Sequence, residues 1–310
     1  MGTATAGPRT VAMLTDAELA AADPRYPKWA TLCQLHRLGL PVLNAVLVTP
    51  GQNRDDLAAA VAVMAKATGQ DRLLVRSDGG AETRCYYRGG NTFPLADVAS
   101  RAAGLLEAGR AVIVMEPTNR FTNRLTALLR MDRPGPGQVG TFTIEALGPG
   151  YDVADLTRGG IPPQVTVNAA VDWSHYQEPW WSDLHLTTDL TPDAQHTRRT
   201  RRLIRLAADV LTDTGHLTAT TPNTTGQAKA AAAEAWLRGH GFDQLWQPYD
   251  IVGAIARRAR TWLQEAFLIA ACHPRHGWTC LATAVSDLGG RRVFWDIIDG
   301  RHKYGIRRTA

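Results

Sequence analysis

The sequence predicts an α+β (mixed α/β) fold, and three observations lead to this prediction. Strand-like segments occur both in neighbouring pairs and separated by helical segments, whereas a doubly wound parallel sheet would alternate strictly between strand and helix. The chain has 310 residues, long enough for one large unit or two lobes, and it contains no internal repeat. Its composition, with 45% hydrophobic and 20% charged residues, is that of an ordinary globular protein.

Apolar residues at helical spacing, bounded by capping residues and glycine, predict seven helices. These are 15–22, 28–38, 53–67, 94–108, 192–212, 226–238 and 248–264. Short apolar or alternating segments that end near glycine or proline predict strands. These are 42–48, 73–75, 111–115, 124–131, 139–147, 165–171, 266–272, 278–285, 292–298 and 303–307. Residues 1–14 are predicted to be a frayed tail.

Composition and charge narrow the classes of partner. The net charge of +5 and the pI near 9.2 fit an anionic small ligand and give only weak support for nucleic acid. No apolar run approaches the roughly 20 residues of a membrane span, and the first residues lack the pattern of a secretory signal. The four cysteines show no disulfide-framework spacing, so we expect reduced thiols and a cytoplasmic protein.

The segment 72–93 combines a strand with features of an anion site. After the apolar residues of the strand come Arg76, paired glycines and further arginines. Glycines let backbone N–H groups approach a phosphate, and the guanidinium fork binds two phosphate oxygens at once. The alternative interpretation is a strand followed by a solvated turn, and the pattern alone leaves both open.

Four motifs in order resemble the N-terminal ATP-binding domain of the phosphoenolpyruvate synthase and pyruvate phosphate dikinase family. They are Pro27-Lys28-Trp29 with the later Gly39-Leu40-Pro41-Val42, Val75-Arg76-Ser77 with Glu82 and Thr92-Phe93, Val112 to Glu116, and Glu145 to Gly150. The resemblance covers roughly residues 24–170 and, more faintly, the last 20 residues. It implies a two-lobed ATP-grasp fold with the nucleotide in the cleft between lobes. The tail and first helix would span 1–23, the N-terminal lobe 24–110 and the C-terminal lobe 111–310.

The resemblance also implies functional residues. Lys28 and Arg76 would contact ATP phosphates, a role that suits their charge and reach. The Met115 backbone and Glu116 would face adenine, and Glu145 corresponds to a glutamate of the family's nucleotide site. The alternatives are a helix-start surface lysine for Lys28, a strand-end salt bridge for Arg76 and a strand-ending glutamate for Glu116.

Near the end of the chain, the resemblance places the Mg²⁺ carboxylates on the segment Val293 to Gly300. Asp296 and Asp299 are the candidates, although the family's motif is displaced by one residue here. Their spacing puts them on opposite faces of a strand, so we favour Asp296 for the metal and expect Asp299 in the turn. Arg307 corresponds to the family's final catalytic arginine, but Gly305 stands where the family has glutamine.

The activity that follows from the resemblance is phosphoryl transfer from Mg-ATP. A ligase that activates a small-molecule carboxylate through an acyl phosphate, for attack by an amine or other nucleophile, is the first hypothesis. A kinase or the ATP half of a split phosphotransferase, with a partner enzyme of the same pathway, is the second. A nucleotide-binding protein without catalysis is the third. No Thr-Ser-His segment occurs, which argues against a complete dikinase.

Three further groups of residues have both a functional and a structural interpretation. Cys272, His273, His276 and Cys280 could together bind zinc, although their spacing matches no common zinc motif. The alternative is that Cys272 and Cys280 are buried strand ends. One helix carries five arginines, which form either a solvated face or a surface for an anion or nucleic acid. They are Arg198, Arg199, Arg201, Arg202 and Arg205. An acceptor pocket and loop packing are the alternatives for the aromatic segment 173–181.

Overall fold

A computed structural model gives the architecture of most of the chain. It describes residues 9–10, 25–52, 54–79, 92–118, 123–132, 140–157, 161–171, 180–186, 192–213, 215, 226–242, 246, 249–272 and 280–299. The helices are α1 (Pro27–Arg37), α2 (Arg54–Thr68), α3 (Leu95–Glu107), α4 (Val153–Thr157), α5 (Pro192–Asp213), α6 (Gly226–Gly239) and α7 (Ile251–Ala271).

The strands form two sheets. They are β1 (Arg9–Thr10), β2 (Ala45–Val48), β3 (Arg72–Asp78), β4 (Thr92–Pro94), β5 (Ala111–Met115), β6 (Asn123–Asp132), β7 (Gly140–Leu147), β8 (Val165–Val171), β9 (Trp180–Leu186), β10 (Cys280–Leu288) and β11 (Arg291–Asp299). The strand orders are β1-β2-β5-β3-β4 and β11-β10-β6-β7-β8-β9. The described pairings between these strands are antiparallel, which confirms the predicted α+β class.

The chain divides into two compact units. The first comprises Met1–Thr118, Leu268–His273 and Arg292–Ile297, and the second comprises Asn119–Phe267, Pro274–Arg291 and Ile298–Ala310. Strand β5, which the resemblance assigns to the start of the C-terminal lobe, pairs with β2 and β3 inside the first sheet. The five residues of β5 are buried, as expected for a central apolar strand.

One face of the first sheet packs on helices, and the other carries Arg76 together with buried apolar residues such as Ile113 and Met115. A hydrophobic core joins Leu73 and Val75 of β3 to Leu57 of α2 and Val98 of α3. Because side chains alternate along a strand, Arg76 lies on the opposite face from that core. The second face of the sheet therefore combines the Arg76 guanidinium with apolar packing.

One predicted strand near the end of the chain is wrong. Residues 266–272 are predicted as a strand, but α7 continues without interruption to Ala271. The buried residues Trp262, Ala266 and Ile269 follow one another at helical spacing, and this amphipathic pattern extends the preceding helix. A short apolar segment next to a long helix cannot be distinguished from a strand by its hydrophobicity alone.

The predicted tail also contains structure. Arg9 and Thr10 pair with Leu47 and Val46 of β2, so this part of the tail is not frayed. The short elements β4, α4 and β9 were not predicted. Within the described residues, none of the helices combines the length and the apolarity that crossing a bilayer requires.

The turn Gly148-Pro149-Gly150 after β7 is closely packed by two helices of the second unit. A Cβ at Gly148 would lie 2.8 Å from Cδ1 of Ile251, and the Gly148 N–H donates to Oε1 of Gln164 at 2.7 Å. Gly150 has a φ of +87°, and a Cβ there would lie 2.7 Å from Cδ2 of Leu203. These glycines admit helices α7 and α5 next to the backbone, so packing explains the glycine-rich motif in this part of the chain.

We expect Gly150→Ala to destabilise the protein by about 3 kcal/mol, because it adds steric overlap with Leu203 to an unfavourable backbone conformation. Gly241 is a matched control in the same unit, with a φ of +78° and, among the described residues, no atom within 4 Å of the point where a Cβ would lie. Gly241→Ala should lose only about 1 kcal/mol, the backbone contribution alone. Urea unfolding measures both values, and equal losses would contradict the packing explanation.

Candidate functional site

Arg76 and Asp296 meet within the first unit. Nη2 of Arg76 lies 3.4 Å from Oδ2 of Asp296, although the two residues are 220 positions apart in the chain. The side chains are 19% and 8% exposed, so the ion pair is largely removed from water. Nη1 of Arg76 is buried and has no hydrogen-bond partner among the residues that the structure describes. A buried guanidinium nitrogen in this state can accept an anionic ligand as its partner.

Asp296 reaches this position because part of β11 belongs to the first unit. The Phe294 N–H donates to the Pro41 carbonyl at 2.8 Å, and Phe294 forms a parallel bridge with Val42. Phe294 itself is 0% exposed. The backbone of β11 is therefore fixed two residues before Asp296, and alternation along the strand turns the Phe294 and Asp296 side chains to the same face.

Lys28 is attached to the end of β3 through both its backbone and its side chain. Its Nζ donates to the Ser77 carbonyl at 2.8 Å, and its backbone N–H donates to Oδ1 of Asp78 at 3.2 Å. The next N–H of α1, from Trp29, donates to Oδ2 of Asp78 at 2.8 Å. Ser77 directly follows Arg76, so the structure brings the Lys28 ammonium to the strand that carries Arg76.

Asp78 is only 2% exposed, and its burial raises the pKa of its carboxyl group above the usual 3.8. Hydrogen bonds from the backbone of Trp29, Lys28 and Gly79 oppose this effect, because they stabilise the ionised form. Asp78 is thus a buried acid whose ionised form is stabilised mainly by backbone N–H groups and also by the positive charge of Lys28.

Met115 and Glu116 lie at the end of the central strand β5. Met115 is 0% exposed and stands opposite Ala45 and Leu74 in the two neighbouring strands. The Glu116 N–H donates to the Asn44 carbonyl at 2.9 Å, and Nδ2 of Asn44 donates to Oε2 of Glu116 at 3.3 Å. Asn44 therefore holds the first carboxylate that follows the strand.

Glu145 belongs to the second unit. It lies on β7, and its Oε1 is 3.8 Å from Nη1 of Arg130 on β6. Arg130 also donates from Nε to Asp132 at 3.0 Å. On the same face, the Thr143 hydroxyl donates to Oδ1 of Asn168 at 2.9 Å. These side chains form a polar row on one face of the second sheet, with Arg130 between two carboxylates.

Several predicted residues fall on parts of the chain that are not described. Arg307, Glu82, His273 and His276 lie outside the described residues, and for Asp299 only the backbone of β11 is described. Cys272 is exposed just after α7 and Cys280 begins β10. Among the described residues there is no group of three or more His, Cys, Asp or Glu side chains able to hold a metal ion.

The arginine-rich helix α5 has a mixed role. Arg201 and Arg205 are exposed, as expected for a solvated face. Arg202 instead donates from Nη2 to both carboxylate oxygens of Asp155, at 2.8 and 2.7 Å, and its guanidinium lies 4.6 Å from the centre of the Tyr151 ring. Of the aromatic segment, residues 172–179 lie outside the described residues, and Trp180 and Trp181 begin β9.

Sequence reasoning missed Asp78 and Asn44, the two polar residues that hold candidate site residues. Asp78 carries a weak signal, since it directly follows the strand that contains Arg76. Asn44 carries none, because an asparagine before a strand is usually part of a turn. Both act through contacts between segments 50 or more positions apart, which local patterns do not reveal.

The raised pKa of Asp78 predicts how its contribution to stability depends on pH. A folded-state pKa above the unfolded value means that this contribution is complete below about pH 3.8 and is lost as pH rises through the folded pKa. The free energy of unfolding of the wild type relative to Asp78→Asn, which does not titrate, should therefore fall as pH rises from about 3.8 towards neutrality. Urea unfolding across this range measures the difference, and a rise would show that the backbone hydrogen bonds outweigh burial.

No protein-family model and no curated protein matches the chain. Among solved structures, it is similar to the D-cycloserine synthetase DcsG, at 15% identity over 68% of this chain and 70% of that chain, with a TM-score of 0.29. It is also similar to carboxyaminoimidazole ribonucleotide synthase from Aspergillus clavatus complexed with ATP, at 11% identity over 91% of this chain and 49% of that one, with a TM-score of 0.35. A third similar structure is D-alanine–D-alanine ligase from Helicobacter pylori, at 14% identity over 53% of this chain and 51% of that one, with a TM-score of 0.27.

The chain spans about half the length of the second and third of these proteins. The three proteins are a synthetase, a synthase and a ligase, and none of them is a phosphoenolpyruvate synthase or a pyruvate phosphate dikinase. Their TM-scores and identities are too low to support an argument about residues or reaction. The α+β class therefore rests on the observed helices and antiparallel sheets.

Proposed function

We propose that the chain is an ATP-grasp enzyme that uses Mg-ATP to activate a carboxylate for ligation to an amine or another nucleophile. The observation that carries this proposal is the buried guanidinium of Arg76, with one nitrogen lacking a partner among the described residues, beside the Asp296 carboxylate. A metal-bound polyphosphate needs cations for its oxygens and a carboxylate for its metal. Arg76 supplies a cation and Asp296 supplies a carboxylate, and the two lie side by side in the first unit.

Arg76 and Lys28 are the proposed phosphate ligands. The planar fork of Arg76 can bind two oxygens of one phosphate, and its partial burial strengthens such a contact relative to water. The Lys28 ammonium donates to Ser77, the residue after Arg76, so the two cations approach the same end of β3. In catalysis these cations would hold the γ-phosphoryl group in line with the acceptor and balance its charge.

The residues fit a magnesium ion that arrives together with ATP. Such an ion takes one or two protein carboxylates and completes its shell with phosphate oxygens and water. Asp296 offers a buried carboxylate, and Asp299 is the second proposed ligand. Because Asp296 pairs with Arg76, we expect Mg²⁺ without nucleotide to bind weakly. When bound, the metal supplies charge neutralisation at the phosphates.

Glu116 and the Met115 backbone are the proposed contacts of the adenine ring. A carboxylate accepts hydrogen bonds, which suits the exocyclic amino group of adenine and disfavours the carbonyl that guanine carries at the equivalent position. The hydrogen bond from Asn44 keeps the Glu116 carboxylate at the end of β5. Glu145 in the second unit, beside Arg130, stays a further proposed nucleotide contact.

The proposed reaction has two steps. An oxygen of the acceptor carboxylate attacks the γ-phosphorus, the bond to the bridging oxygen breaks, and ADP leaves behind an acyl phosphate. The nucleophile then attacks the acyl carbon and releases inorganic phosphate, which forms the amide or related bond. Arg76, Lys28 and Arg307 would stabilise charge on the transferred group. The acceptor is a small molecule in this proposal, and a partner enzyme of the same pathway remains an expectation.

A nucleotide-binding protein without catalysis is the second candidate. The Arg76–Asp296 ion pair supports it as well, because a pair that stays closed would stabilise the first unit and leave no carboxylate for a metal. A kinase, or the ATP half of a split phosphotransferase, would use the same nucleotide residues. The products separate them: ADP for a ligase or kinase, AMP and phosphate for the dikinase-like half.

We expect ATP with Mg²⁺ to raise the melting temperature of the wild type by several degrees, since a ligand at about 100 times its dissociation constant stabilises by about 2.7 kcal/mol. Arg76→Ala should abolish this rise, because the phosphates lose their buried cation. A thermal-shift titration with ATP, ADP and Mg²⁺ measures the effect.

Arg258→Ala is the matched control, since Arg258 also forms an ion pair, with Asp287, but belongs to the second unit and is not a proposed phosphate ligand. It should lower stability and keep the nucleotide-dependent rise. A wild type that no nucleotide stabilises would overturn the proposal. Stabilisation without any release of ADP or AMP in the presence of carboxylate and amine mixtures would instead support the non-catalytic candidate.

A further inference from the structure

Helix α1 begins without a capping side chain of its own. Its N-cap residue is Tyr26, which makes no side-chain capping bond, and the first turn contains no acidic residue. The first backbone N–H groups of a helix have no partner inside the helix and require one from elsewhere. At this helix the partner is Asp78, at the end of β3 and 50 positions from Lys28.

The Asp78 carboxylate binds three backbone N–H groups from two segments. Oδ1 accepts from Lys28 at 3.2 Å and from Gly79 at 2.9 Å, and Oδ2 accepts from Trp29 at 2.8 Å. A carboxylate at a helix N-terminus also interacts favourably with the helix dipole. Because Asp78 is almost fully buried, these contacts are shielded from competing water.

The same contacts determine where Lys28 lies. Its backbone is held by Asp78, and its Nζ by the carbonyl of Ser77, so two consecutive residues of β3 hold both ends of Lys28. Arg76 precedes these two residues in the strand. Any shift of the helix start away from β3 would therefore move the Lys28 ammonium relative to the Arg76 guanidinium.

We propose that Asp78 is a positioning residue for nucleotide binding, which holds Lys28 next to Arg76 so that both cations bind one polyphosphate. This inference rests on the proposed function, since it requires ATP to be the ligand of Lys28 and Arg76. Asp78 does not touch the nucleotide in this proposal. Its carboxylate acts through the backbone of Lys28 and Trp29 alone.

The alternative is that Asp78 only stabilises the fold. The two roles differ in their dependence on Lys28. If Asp78 acts by placing the Lys28 ammonium, its removal must weaken ATP binding only while that ammonium is present. If Asp78 only stabilises the fold, any loss of ATP affinity on its removal should be the same whether or not Lys28 is replaced.

A double-mutant cycle with ATP tests the proposal. ATP dissociation constants are measured by calorimetric titration for the wild type, Asp78→Ala, Lys28→Ala and the double variant, below their melting temperatures. We expect Asp78→Ala to weaken ATP binding about tenfold in the wild type. In the Lys28→Ala background the same change should alter affinity by less than about twofold, the usual limit of additivity error.

The control is Gln52→Ala in the first unit. Gln52 accepts the Thr49 N–H at Oε1 at 2.7 Å, so its loss also removes a bond from side chain to backbone. It should lower stability and leave ATP affinity unchanged. If Asp78→Ala does not fold, Asp78→Asn replaces it, since the amide keeps one acceptor oxygen and the shape of the side chain.

The outcomes separate the two levels of the proposal. A wild type that does not bind ATP overturns the proposed function and this inference with it. A wild type that binds ATP, with Asp78 variants of equal affinity, overturns this inference alone. The same holds if the loss in affinity is as large in the Lys28→Ala background as in the wild type. The inference is supported if Asp78→Ala weakens ATP binding when Lys28 is present and leaves it unchanged in the Lys28→Ala background.

Discussion

The first compact unit depends on one long-range constraint, the return of a segment near the end of the chain to the sheet formed by its beginning. Phe294 hydrogen-bonds to Pro41 and is fully buried, and Asp296 meets Arg76 two residues later. Loop-closure entropy grows only with the logarithm of loop length, so a few buried contacts are enough to hold so distant a segment. As a result, residues 1–118 alone would lack the carboxylate that faces Arg76.

Strand β3 contributes different kinds of residue to the two faces of the first sheet. On one face, Leu73 and Val75 contribute to the hydrophobic core with α2 and α3. On the other, the intervening position of the same strand carries Arg76, whose guanidinium is largely buried. A charge in such a place is stabilised only by specific partners, since desolvation of an unpaired ion is unfavourable. Asp296 supplies part of this compensation, and an anionic ligand can supply the rest.

In the second unit, glycines and arginines that look functional in the sequence prove to have structural contacts. Gly148 and Gly150 admit Ile251 and Leu203 next to the backbone, so their lack of a side chain is explained by packing. Arg202 donates to both carboxylate oxygens of Asp155 and lies over the Tyr151 ring, which fixes α4 against α5. Glycine and arginine are therefore weak indicators of a phosphate site unless the partner groups are known.

The sequence by itself determined the features that depend on local periodicity. The α+β class, the span of β5 and β8, and the approximate bounds of α1, α3 and α6 follow from the spacing of apolar residues and their bounding glycines and prolines. The resemblance also singled out Arg76 and Asp296, which the structure brings within 3.4 Å. Only the tertiary structure decided that residues 266–272 continue a helix, because the face that a segment buries depends on distant neighbours. Likewise, the capping of α1 by Asp78 joins segments 50 positions apart, and hydrogen bonds between such segments leave no periodic trace in the sequence.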